Sequence, residues 1–203
     1  MKSVCFAFTL FFFCKISFSQ DLDYNYLKSI NTGTMPVWDN AMKGISFSIY
    51  PVMPASVISI WTHGYFKKDK ELMRSAYKGV ICIGSAVAIS TALKYLVNRP
   101  RPFITYPNDI IKRENAGFAS FPSGHSTGAF ATATVLSLTY KKWYVCVPSF
   151  LYAGMVAYSR MRLGVHYPSD VLGGAILGIG TGLLTWKIDK IMRKKKESPV
   201  IIE

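Results

Sequence analysis

The sequence is poor in the groups that build soluble scaffolds and metal sites. Four cysteines occur in 203 residues, at positions 5, 14, 82 and 146, and none forms a CxxC pair. Cys82 and Cys146 sit inside apolar runs, as small buried hydrophobes do. That spacing excludes a disulfide framework and a cysteine metal cluster. Three histidines stand far apart with no paired carboxylates near them, so the pattern carries no metal site and no cofactor motif. Charge is scarce at 17%, and acidic charge scarcer, with 11 Asp and Glu against 24 Lys and Arg. The net charge of +13 raises nucleic acid as a partner. The basic residues do not form a stripe with interleaved loop aromatics, however; they gather between hydrophobic runs, which removes that reading.

Apolar residues make up half of the chain. The opening MKSVCFAFTLFFFCKISFSQ has a basic start, a short apolar run and Ser17-Phe18-Ser19 at its end. This pattern predicts a signal peptide over residues 1–19. A mixed segment follows at 20–46, with Trp38 and an amphipathic helix leading in. Five apolar stretches come next, at about 47–64, 76–97, 124–140, 143–160 and 170–187. Each is near the length a helix needs to cross ~30 Å of hydrocarbon and too long for a strand. Small residues recur in the second and last, as on helix-packing faces in membranes. The expected fold is all-α: a membrane-embedded bundle of about five transmembrane helices over 47–190, followed by a basic tail at 191–203.

The basic segments FKKDKELMR at 66–74, Lys141-Lys142 and KIDKIMRKKKE at 187–197 alternate with the spans. Placing all three on the cytoplasmic side puts the 98–123 and 161–169 connections outside. Trp61, Trp143 and Trp186 fall near span ends, where an interfacial belt belongs. The expected location is a bacterial inner membrane, with the two outer connections facing the periplasm.

Those outer ends carry the chemistry. KYLVNRPRP runs from Lys94 to Pro102, PSGH from Pro122 to His125, and SRMRLGVHYPSD from Ser159 to Asp170. Lys94, Arg101 and Arg160 supply positive charge, and the arginines supply planar donor forks suited to phosphate oxygens. Ser123 and Gly124 precede a helical run, where backbone N–H groups form an anion site. Asp170 follows His166 by one helical turn and can fix its tautomer, leaving the other ring nitrogen to attack phosphorus. His166 is then the nucleophile and His125 the acid that protonates the leaving oxygen. Arg99 and Arg162 read as rim charges meeting lipid headgroups. His63 reads as a packing residue remote from the site.

The three segments resemble the signature of the type 2 phosphatidic acid phosphatase (PAP2) superfamily, K-x6-R-P, P-S-G-H and S-R-x5-H-x3-D. Lys94, Arg101 and Pro102 match the first, Pro122 to His125 the second, and Ser159, Arg160, His166 and Asp170 the third. The resemblance implies a metal-free, two-step phosphatase with the nucleophile at His166 and the acid at His125. Its membrane members act on lipid phosphates or isoprenoid pyrophosphates. Undecaprenyl pyrophosphate, phosphatidylglycerophosphate, phosphatidate and lipid A phosphates all remain open as substrates. Soluble secreted acid phosphatases and vanadium haloperoxidases share the constellation, and a non-enzymatic lipid-binding or transport protein is the fourth reading.

Overall fold

The computed structural model describes residues 21–197. The signal-peptide expectation at 1–19 lies outside them. Among the described residues the chain is nearly all helical, with one isolated bridge pairing Pro100 and Ala119. Helix α1 covers residues 21–30. The others are α2 (Pro36–Phe66), α3 (Lys70–Val97), the single turn α4 (Pro102–Thr105), α5 (Gly124–Tyr140), α6 (Trp143–Arg162) and α7 (Pro168–Glu197). All five apolar runs lie on helices.

Local chemistry sets the boundaries. Asp69 caps α3, accepting the N–H groups of Glu71 and Leu72 at 2.9 and 3.1 Å. Asn98 closes α3 in the left-handed conformation at φ +46°, and Pro100 and Pro102 prevent the helix from resuming. Ser123 caps α5. After α6, Gly164 turns the chain at φ +73°, and a Cβ there would lie 2.4 Å from the Ile111 carbonyl oxygen. Only glycine fits that turn, which delivers Val165 and His166 to the inside.

Helix α5 runs through the middle of the bundle. Its residues Ser126 to Ala129 and Ala131 to Val135 are buried, so little of its circumference meets the surroundings. Helix α7 lies directly on it: a Cβ on Gly178 would stand 2.5 Å from the Thr127 carbonyl oxygen, so the backbones touch where a side chain cannot enter. The outer helices expose large apolar side chains, including Tyr77, Val80 and Ile81 on α3, Leu151 and Met155 on α6, and Ile176 and Leu184 on α7. Such a surface belongs in lipid. Three helices, α2, α3 and α7, are long and apolar enough to span a membrane. Helix α2 begins at Pro36, ahead of its apolar run, and carries the chain past the membrane core toward α1.

One end of the bundle gathers the C-termini of α3 and α6 and the N-termini of α5 and α7. The three basic segments lie at the opposite ends of these helices.

Candidate active site

The three sequence segments converge at that first end. Lys94, Arg101, Gly124, His125, Arg160 and His166 all border one cavity of about 360 Å³. Lys94 stands in the last turn of α3, and its ammonium donates to the Pro122 carbonyl at 2.8 Å and to Ser120 at 3.3 Å. It thereby ties the end of α3 to the PSGH turn. Arg101 follows the proline stop. Its Nε donates to Gly117 O at 2.6 Å and its Nη1 to Val165 O at 2.7 Å. Burial first, and the charge of Arg160 second, pull Arg101 down to about 10, so it stays protonated at neutral pH. Arg160 comes from the last turn of α6. Its Nη1 lies 2.8 Å from both oxygens of Glu114 and also donates to Ser46, while its buried Nε has no partner.

His166 is 1% exposed and Asp170 is fully enclosed. Arg101 Nη1 lies 3.2 Å from His166 Nε2. A guanidinium only donates, so Nε2 accepts and carries no proton. The single proton of the neutral ring therefore sits on Nδ1, which faces Asp170 Oδ2 at 3.5 Å. That separation is longer than a hydrogen bond, and Nδ1 has no other partner. Such contacts tighten when a substrate loads the site. Burial, followed by the charges of Arg101, Arg160 and Lys94, holds the imidazole well below the ordinary histidine value of 6.5. The residue is thus an unprotonated nitrogen nucleophile facing a cation-lined cavity. His125, the second residue of α5, lies edge-on to the Tyr50 ring with centroids 5.2 Å apart.

Two expected donors divide. Gly124 and His125 occupy the first helical positions of α5, where N–H groups have no intrahelical acceptor, and both border the cavity. Ser123 does not border it. Its side chain accepts from Ser126, and its N–H donates to the Asp170 carbonyl at 3.0 Å. Ser123 therefore locks α5 to α7 beneath the cavity.

The rim-charge reading of Arg99 and Arg162 is wrong. Arg99 donates to Asp170 and Asp23 and stacks on Tyr167. Arg162 is buried, paired with Asp39 at 2.9 Å and donating to the carbonyls of Ile30 and Thr32. Both had acidic partners more than 70 residues away, which no spacing rule reveals. His63 is remote from the site, as expected, with Nδ1 3.3 Å from the Tyr140 hydroxyl. Sequence reasoning also missed Glu114. It is a carboxylate placed among cations, and it holds the arginine that an incoming anion would need.

The comparisons with known proteins agree with this arrangement. A family model described as the PAP2 superfamily matches residues 77–193, which include every cavity cation and both histidines. Lipid A 4'-phosphatase of Bacteroides thetaiotaomicron is 28% identical over 204 aligned residues, covering 91% of this chain and 85% of that protein. Undecaprenyl-diphosphatase BcrC of Bacillus subtilis is 26% identical over 137 residues, covering 68% of this chain and 67% of its own length. The crystal structure of Aquifex aeolicus LpxE superposes with a TM-score of 0.66 at 28% identity, covering 80% of this chain and 93% of that one.

Proposed function

The chain belongs to the PAP2 superfamily and is a membrane phosphatase; from that premise we propose that it hydrolyses a lipid-borne phosphate or pyrophosphate through a phosphohistidine on His166. The observation that carries the mechanism is the unprotonated Nε2 of His166 standing beside Arg101 in a cavity that Lys94 and Arg160 also border.

Lys94, Arg101, Arg160 and the first N–H groups of α5 hold the non-bridging oxygens. Arg160 must exchange Glu114 for the substrate anion, and Arg101 must turn from His166 Nε2 to a phosphoryl oxygen. The freed lone pair attacks phosphorus. As the P–N bond forms, the P–O bond to the leaving group breaks, and protonated His125 gives its proton to the departing oxygen. The Nδ1 proton stays on the ring, and the Asp170 carboxylate offsets the charge the imidazole gains. In the second step neutral His125 takes a proton from water. That oxygen attacks phosphorus, the P–N bond breaks, and inorganic phosphate leaves.

A second cavity supports a lipid substrate. An apolar groove of about 490 Å³ between α2 and α3 is lined by Pro54, Val57, Ile83 and Gly84, and it shares Met53 and Val87 with the catalytic cavity. A headgroup over His166 can leave its hydrocarbon in that groove. The alternation of basic segments favours the outer face of a bacterial inner membrane for the site, and the same reading makes 47–190 the catalytic domain, 20–46 a periplasmic segment and 191–203 a cytoplasmic tail.

Purified protein should release phosphate from a panel of lipid mono- and diphosphates in EDTA. Gly84 faces open groove, with nothing within 4 Å of a Cβ built there. Gly84→Phe should fill the groove and raise KM about tenfold or more for a long-chain lipid phosphate. A short-chain water-soluble phosphate ester should keep its KM within about twofold. Equal effects on both substrates would argue against a tail in the groove.

The state of His166 gives a pH expectation. Its neutral form persists below the ordinary value of 6.5, because ionisation would place another positive charge among Arg101, Arg160, Lys94 and His125. The acid limb of kcat/KM, which reports the free enzyme, should therefore lie below pH 6.5. A limb assigned to His166 above that value would contradict the site's electrostatics.

A further inference from the structure

Arg99 approaches the catalytic pair from behind, and the N-terminal helix holds it there. We propose that Arg99, clamped by Asp23 of α1, is a positioning residue that fixes the Asp170 carboxylate in the rotation facing His166. The proposal rests on the reading of His166 as nucleophile and Asp170 as its orienting partner.

A carboxylate's last torsion is soft, with a broad well, and a fully enclosed carboxylate has no water to set it. Asp170 is 0% exposed, so protein groups must hold it. Its Oδ2 accepts the Tyr167 N–H at 2.9 Å and faces His166 Nδ1. Its Oδ1 accepts Arg99 Nη1 at 2.8 Å. With both oxygens engaged on opposite sides, the plane of the carboxylate is set. Arg99 also offsets a buried negative charge that would otherwise be costly.

The arginine is itself held on two sides. Its Nη2 donates to Asp23 Oδ2 at 3.0 Å, and its guanidinium carbon lies 3.9 Å from the centroid of the Tyr167 ring. Asp23 accepts the Ser169 N–H at 2.9 Å and the Ser169 hydroxyl, which anchors it to the first turn of α7. The clamp thus connects α1, the segment after α3 and the start of α7. Arg99 does not border the catalytic cavity, whose cations are Lys94, Arg101 and Arg160. It works through Asp170 and not on the phosphate.

The test compares Arg99→Gln, Asp23→Asn, Asp170→Asn and the two double variants in the full-length protein in detergent. Each is checked for monodispersity and thermal midpoint, and assayed on one lipid phosphate. Arg99→Gln should lower kcat about 10- to 100-fold, as loss of the partner that orients a working side chain does. Asp23→Asn should lower it about three- to tenfold, the worth of one weakened hydrogen bond. KM should stay within about twofold in both, because neither residue meets substrate. In the Asp170→Asn background neither change should reduce kcat further, since the group they position is already gone. If Arg99→Gln does not give folded protein, Asp23→Asn and its double variant decide alone. Wild-type kcat in the single variants, or the same loss with and without Asp170, would overturn the proposal. Full activity of Asp170→Asn would instead overturn the catalytic reading beneath it.

Discussion

Replacing His166 with alanine should lower phosphate release about 10⁴-fold or more while the protein still inserts and folds. No other side chain bordering the cavity offers an unprotonated nitrogen with a carboxylate behind it. Lys94 is committed to carbonyl oxygens, and His125 sits at the helix start facing Tyr50. The surroundings survive the truncation. Asp170 keeps Arg99 and the Tyr167 N–H, and Arg101 keeps Gly117 and Val165. A monodisperse chromatographic profile with a thermal midpoint near wild type should accompany the loss. Turnover within about tenfold of wild type would reject His166 as nucleophile.

Arg101→Lys keeps the charge and should still reduce kcat/KM about 10²- to 10³-fold. Arg101 acts through the shape of its fork. Nε reaches Gly117, while Nη1 reaches both Val165 and His166. A lysine offers one compact ammonium and cannot span these acceptors and a phosphoryl oxygen together. The comparison separates geometry from charge. Lipid-phosphate turnover within about threefold of wild type would show that charge alone is what the position supplies. Thermal midpoints taken in parallel identify any part of the loss that comes from the two backbone contacts.

The sequence made one layer of this site legible and concealed the layer behind it. Lys94, Arg101, His125, Arg160, His166 and Asp170 could be picked out because each stands in a short segment whose spacing has a physical meaning. The five apolar runs could be read as helices because a bundle in lipid must satisfy its backbone internally. Arg99 and Arg162 were misread for the opposite reason. Their partners Asp23 and Asp39 lie in the mixed segment before the first apolar run, and no periodicity joins an arginine to a carboxylate so distant in the chain. That segment looked like a lead-in. Its residues instead clamp the outer connections: Asn31 accepts the Ile111 N–H at 2.7 Å and donates to Arg162 O at 2.9 Å. Glu114 was hidden similarly, as one acid in a long connection, until the fold set it against Arg160. Ser123 was expected to offer an N–H to an anion, but the close approach of α5 and α7 gives that N–H to Asp170.

The most direct measurement follows the phosphorus itself. Wild-type enzyme is mixed with a lipid phosphate labelled in the transferred group and quenched in alkali within the first turnover, because phosphohistidine survives base and decays in acid. Peptide mapping should find the label on His166, with none there in the His166→Ala variant. Label on another residue, or phosphate release in a single turnover with no labelled protein at any time point, would contradict the account.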